Sequence, residues 1–145
     1  MRPLLLLVAT TLPTAAAAQE TTLTQLRAMG RCGGCAVAGA HLSGGLLTGL
    51  DMTGATIVDA RFDGARLFIA LFDGAVLQRV SFAGANLRGA SFAGARLTDV
   101  SFKDADLSGA VFDSAILEST DLSDARLCNT QLPNDTMAND DCAAR

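Results

Sequence analysis

Among the residues that could do chemistry, the four cysteines come first. Cys32-Gly33-Gly34-Cys35 has the spacing of a dithiol pair, and Cys128 and Cys142 stand near the other end of the chain. A redox-active pair needs an exposed first cysteine at a helix N-terminus, where its pKa falls. Here the pair follows a segment with helical spacing, and glycine fills both intervening positions, which argues against thiol catalysis. Zinc takes about four ligands. His41 is the lone histidine and the other two cysteines lie far along the chain, so no metal and no cofactor are expected. Carboxylates are plentiful, from Asp51, Asp59 and Asp63 to Glu118, Asp121 and Asp124, but they are spread along the chain as a solvated surface would be. The chain shows no phosphate loop, no local Ser-His-Asp motif and no basic patch interleaved with aromatics, so neither a catalytic residue nor nucleic-acid binding is expected.

The N-terminus predicts export. Met1-Arg2-Pro3 is a short basic start, Leu4 to Ala9 is apolar, and Ala15 to Ala18 precede the polar Gln19-Glu20. That order describes a secretory signal peptide over residues 1–18, with Ala16 and Ala18 as the small residues before cleavage. The run is too short to span a bilayer, which needs about 20 residues. Losing it removes Arg2 and no acid, moving the formal charge from −4 to −5. Such mild acidity suits a soluble periplasmic or secreted protein without a membrane span.

A strict period of five organises most of the chain beyond this leader. From Leu42 to Leu132, every fifth residue is large and apolar over nineteen consecutive positions. Two residues before each centre the chain is mostly small, as at Ala40, Ala55 and Ala65. Two residues after it Gly recurs, as at Gly44, Gly64 and Gly84. Five fits neither the 3.6-residue turn of a helix nor the alternation of a strand. It fits a chain that turns a corner every five residues, sends one large and one small side chain inward, and bonds coil to coil.

Ala85-Asn86-Leu87-Arg88-Gly89 and Ala105-Asp106-Leu107-Ser108-Gly109 carry a resemblance to the pentapeptide-repeat family, whose unit is Ala, Asp or Asn, Leu, then two variable residues. The resemblance covers about two-thirds of the chain. It implies an all-β fold, a right-handed quadrilateral β-helix with four units per coil, over residues 36–132. Residues 19–35 then form an N-terminal cap with the Cys32–Cys35 unit, and residues 133–145 a C-terminal cap tail. With four units per coil, residues twenty apart stack. Phe62, Phe82 and Phe102 should form one internal ladder and Phe72, Phe92 and Phe112 another on the opposite face, with leucine between. The column Ala60, Val80, Val100, Thr120 should bulge slightly. At the N-terminus, Leu23, Leu26 and Met29 share a helical face, with Thr22 as N-cap and Gly30 as stop, which predicts a short capping helix.

The same coil count bears on the cysteines. About 4.5 coils separate Cys35 from Cys128, roughly 20 Å at the strand spacing of about 4.8 Å. Bridged Cα atoms lie within about 7 Å, so only Cys32–Cys35 and Cys128–Cys142 avoid crossing the rod. The Leu127-Cys128-Asn129-Thr130 stretch with Pro133 and a final cysteine also looks like the closing segment of exported members of the family. For Cys32 and Cys35 a bridge and two free thiols both stay open.

Phe68, Ile69 and Leu71 occupy non-inward positions where neighbouring units carry Gly, Ser, Thr or charge. Val111 shares Leu71's column, separated from it by Ser91; Val76 and Ile116 are also outward. An exposed apolar patch often marks an interface. The expected role is therefore a non-enzymatic exported interaction module, with an unidentified protein partner or self-association through Phe68, Ile69, Leu71 and Val111. The family resemblance also suggests a DNA mimic that binds a type II topoisomerase. The leader opposes that reading, and Arg61, Arg66, Arg96 and Arg126 interrupt any anionic face.

Overall fold

A computed structural model describes Thr24, Leu26 and residues 28–143. The expected leader, and Thr22 and Leu23 of the expected cap, lie outside the described residues. Seven short strands follow one another: β1 (Ala36–Ala38), β2 (Thr56–Val58), β3 (Val76–Gln78), β4 (Arg96–Thr98), β5 (Ile116–Glu118), β6 (Thr130–Gln131) and β7 (Met137–Ala138). Strands β1 to β5 pair in parallel and in chain order, Val37 beside Ile57, Leu77, Leu97 and Leu117 in turn. The step of twenty repeats on the other sides, through His41, Arg61, Ser81 and Ser101, through Leu46, Arg66, Asn86, Asp106 and Arg126, and through Leu71, Ser91, Val111 and Gln131. Four five-residue sides thus make one coil, and the fold is the expected quadrilateral β-helix.

Three of the four corners are β-turns closed three residues back. Ala65 N–H donates to Phe62 O at 3.0 Å, Ala70 to Leu67 at 3.0 Å and Ala75 to Phe72 at 3.1 Å. The fourth side is the strand side, where this turn bond does not form at Ala60 or Val80. Nearly every corner holds one residue in left-handed backbone, and Gly64, Gly74 and Gly84 supply it at φ 64°, 63° and 65°. Glycine reaches that region without the Cβ penalty other residues meet.

The expected bulge at Val80 and Val100 takes another form. The whole strand side is extended, Ala40 and Ala60 included, and the ladder keeps step, with Ser81 to Ala60 and Ser101 to Val80 both at 3.0 Å. At the last coil the Thr120 hydroxyl fills the space a turn bond would occupy. It accepts from Val100 N–H at 3.1 Å and lies 3.3 Å from Leu97 O.

Inside, the rings stack as the register demands. Phe62, Phe82 and Phe102 lie face to face with centroids 5.2 and 5.3 Å apart, and Phe72, Phe92 and Phe112 at 4.9 Å throughout. The two ladders meet edge to face across the lumen, Phe82 with Phe92 at 5.9 Å and Phe92 with Phe102 at 5.6 Å. Leu42 and Met52 precede the two stacks in their columns, and Leu122 and Leu132 follow them. All six rings are fully buried. Thr130 is the one buried polar residue among those described, and its hydroxyl donates to Leu107 O at 2.8 Å.

The described residues of the N-terminal segment, Thr24, Leu26, Ala28 and Met29, are helical. Gly30 closes the segment, donating to Leu26 O at 2.9 Å with φ 64°, and Leu26 joins the core. Met29 departs from the expected apolar face, for it is exposed. A three-residue step at about 100° per residue leaves it about 60° away from Leu26, and the chain turns off at once into Gly30. The first rung of the ladder is Arg31 with Asp51, ahead of the expected start at residue 36, because the Cys32–Cys35 unit already folds as a side.

Phe92 touches four rings at once. Phe92→Ala is expected to cost about 3–5 kcal/mol, read as a lower midpoint in chemical denaturation; Phe92→Asp, which buries a charge without a partner, should abolish the cooperative transition.

Candidate interaction surface

The cysteines lie at the two ends. Cys32 is buried and Cys35 packs against the core, and the two are bridged with Cα atoms 5.4 Å apart, across the turn whose N–H at Cys35 donates to Cys32 O. Cys128 and Cys142 are bridged at 4.7 Å. No cysteine among the described residues is free, and no group of three or more His, Cys, Asp or Glu among them could hold a metal ion. His41 stands exposed at the head of its column.

The second bridge anchors a tail that replaces the missing next coil. Leu127 N–H and Asn129 N–H would donate to that coil. Instead Leu127 donates to the Asp141 carboxylate and Asn129 to the Asn139 side-chain oxygen, both at 3.0 Å. Asp141 N–H returns a bond to Leu127 O at 3.0 Å, and β7 pairs antiparallel with β6. Side chains thus satisfy a backbone edge that would otherwise be open.

Carboxylates stitch adjacent coils on the outside. Asp63 accepts from the Ser81 hydroxyl and from Arg61, and Asp73 from the Ser91 hydroxyl and Ala93 N–H. Arg79 reaches back one coil to Asp59 at 2.6 Å. Arg61, Arg66 and Arg96 are exposed, so both signs of charge interleave over the surface.

The outward apolar residues are Phe68, Ile69 and Leu71, exposed by 45, 49 and 38%. Phe68 and Ile69 end one side, and Leu71 opens the next beyond the Ala70 corner. Val111 is half-buried two coils from Leu71, with Ser91 between, so it sits at the margin. Leu46, 76% exposed, is a further outward residue that the five-residue pattern did not single out. It lies one coil before Phe68 on the same side, beside Arg66. Its signal is the one Leu71 and Val111 carry: an apolar residue just before an inward centre, here Leu47.

Ile69 carries the sharper feature. Its φ is 54°, in left-handed backbone, where the same corner holds Gly49, Gly89 and Gly109 in other coils. Of the described non-glycine residues in that region, Ile69 alone is β-branched. Left-handed backbone costs an L-residue about 1–2 kcal/mol, and a branched Cβ is the worst fit. Its side chain lies along the next coil, where a Cβ on Gly89 would stand 3.3 Å from Ile69 Cγ2.

Several aspartates hold their protons less tightly than usual. For Asp63, burial pushes the pKa up, but the Ser81 hydroxyl and Arg61 outweigh it and the value falls below 3.8. The Arg79 bond lowers Asp59, and bonds from Thr53 and Ser123 lower Asp51 and Asp121. A folded pKa below the unfolded one adds stability above the unfolded value and loses it as pH falls through the folded one. The thermal midpoint is therefore expected to hold from about pH 7 to 5 and drop below the ordinary aspartate value of 3.8. Asp63→Asn should blunt the drop. Cys142→Ser, which opens a loop near 15 residues, should cost about 3 kcal/mol and speed hydrogen exchange at the Leu127 and Asn129 amides.

Two family models for pentapeptide repeats match in tandem, over residues 31–67 and 68–132. Among solved structures, the chain is similar to a pentapeptide repeat protein from the thylakoid lumen of Arabidopsis thaliana. That match is 28% identical with a TM-score of 0.55, over 74% of this chain and 71% of that one. A pentapeptide repeat protein, Rfr23, from the cyanobacterium Cyanothece 51142 is 22% identical with a TM-score of 0.41, over 77% and 97%. The plasmid-mediated fluoroquinolone resistance protein QnrB1 is 13% identical with a TM-score of 0.36, over 70% and 84%. No curated protein matches the sequence. With its five-residue period, its coil of twenty and these tandem matches, the chain belongs to the pentapeptide-repeat family.

Proposed function

We propose that this protein is an exported, non-catalytic interaction module whose binding surface centres on Phe68, Ile69 and Leu71, with Leu46 and Val111 at its margins. The observation that carries the reading is Ile69. Fold stability alone favours glycine at that corner, as in three other coils, yet a large branched side chain stands there half in solvent. Strain kept at an exposed residue is a signature of a functional surface, and the adjoining Phe68 and Leu71 extend it to a contiguous apolar patch.

Export is supported by the leader pattern in residues 1–18 and by two disulfides, which persist in oxidising compartments. The similar solved pentapeptide repeat protein comes from a thylakoid lumen, which is also outside the cytoplasm. None of the described helical residues forms a span long and apolar enough to cross a membrane. The interleaved arginines, two of them paired with Asp63 and Asp59, favour a protein partner over mimicry of a continuous anionic strand.

Ile69→Gly separates folding from binding. It is expected to leave stability unchanged or raise it by about 1 kcal/mol, while Phe68→Ser/Leu71→Ser should fold normally and lose both co-purifying partner and self-association. The reading fails if light scattering and affinity capture of the exported protein give the same result for these variants as for the unaltered chain. Fractionation that finds an uncleaved, cytoplasmic product would remove export.

A further inference from the structure

The C-terminal end of the solenoid is covered on one side and open on another. On every side the inward centre donates its N–H to the following coil: Leu67 to Asn86 O, Phe72 to Ser91 O, Phe82 to Ser101 O. On the strand side the corner residue does so too, Gly39 to Val58 O, Asp59 to Gln78 O, Arg79 to Thr98 O and Asp99 to Glu118 O, all within 2.9–3.0 Å. Leu117 and Ser119 come next in these two series. The residues that would receive their bonds, Thr136 and Ala138, have turned away: Thr136 O accepts from Leu132 N–H, and Ala138 pairs with Thr130 in β6. Among the described residues, strand β5 therefore has a partner on one edge only. Leu117 is only partly buried, although Ile57, Leu77 and Leu97 above it are fully buried. Ile116 is exposed beside it.

We propose that β5 is a docking edge for an extended segment of another polypeptide, which adds a sixth parallel strand. The chemistry of the columns specifies its sequence. The inward column is Val37, Ile57, Leu77, Leu97, Leu117, aliphatic throughout, so the residue over Leu117 is aliphatic. Glu118 faces solvent beyond Thr98 and forms no salt bridge among the described residues. One column along, the coil already shows what fits over a carboxylate, where Arg79 sits one step beyond Asp59. The residue over Glu118 is therefore basic, and the one over exposed Ile116 is apolar. The recognised motif is apolar, aliphatic, basic. Its first and third amides donate to Ala115 O and Leu117 O, and the carbonyls of the same two residues accept from Leu117 and Ser119 N–H. Main-chain bonds supply affinity and the alternate side chains supply selectivity in such strand addition. The edge lies at the end of the rod and does not use Phe68, Ile69 or Leu71.

The test is a titration of the 15N-labelled full chain with the blocked peptide acetyl-Ser-Ile-Leu-Arg-Gly-amide. Shifts and slowed exchange at the Leu117 and Ser119 amides are expected. A peptide N-methylated at its Ile and Arg should bind at least about tenfold more weakly, since it lacks both donors. Glu118→Arg should lose the Arg peptide and gain the version with Glu in its place, and Phe68→Ser/Leu71→Ser should bind as the unaltered chain does. Equal binding of the N-methylated peptide, or shifts confined to other residues, overturns the proposal. So does protection of the Leu117 and Ser119 amides without peptide in a sample that sediments as a dimer, which would make a second copy the occupant.

Discussion

The spacing between coils governs this molecule. Parallel strands sit about 4.8 Å apart, and a register of twenty brings the same position of each side back over itself at that interval. A phenyl ring repeated in such a column must stack on its own kind, and the centroid distances of 4.9–5.3 Å are the backbone rise read out in side chains. Face-to-face rings are not the favoured electrostatic pairing, since like quadrupole faces oppose. The edge-to-face contacts across the lumen supply the favourable complement, because each ring presents its edge to the face of one on the opposite side. Hydrogen-bond register and ring packing therefore agree, and neither could shift by a residue without undoing the other.

Much of this was legible in the amino-acid pattern alone. The period of five placed nearly every core residue, and the alternation of Phe with Leu from Phe62 to Leu117 foretold both ladders. Counting back by fives from Leu42 also puts Cys32 and Cys35 on inward positions, which is where they pack. What the period could not express was variation among corners. That one side runs extended while three close as turns depends on backbone bonds, not on side-chain pattern, since Ala60 and Val80 behave alike. Met29 misled because helical spacing says nothing of where the segment stops. Leu46 does not stand out in the period, because an outward leucine in one unit looks unremarkable until the neighbouring side is known. The strain at Ile69 was half visible, as a branched residue in a glycine column, but its backbone angle had to be seen.

The two ends solve one problem by different means. At the start, Leu26 covers the first coil while Gly30 hands the chain to the first rung. At the finish, Asp141 and Asn139 imitate the carbonyls of a coil that is not there, and the Cys128–Cys142 bridge holds them in place. The imitation extends along one side and stops, since β7 folds back on β6 rather than forward along β5. Coverage and opening are thus two results of the same reversal at Pro133.

Because every long-range pairing in the rod joins residues about twenty apart, the loop each new coil must close is the same length at the first turn as at the last. Chain-closure entropy grows with loop length, so here it is a constant toll per coil. Lengthening such a protein by duplication would add surface in proportion without making assembly topologically harder. Growth by whole coils is then an easy evolutionary step, and the terminal caps, which cannot be repeated, are what decide where it stops.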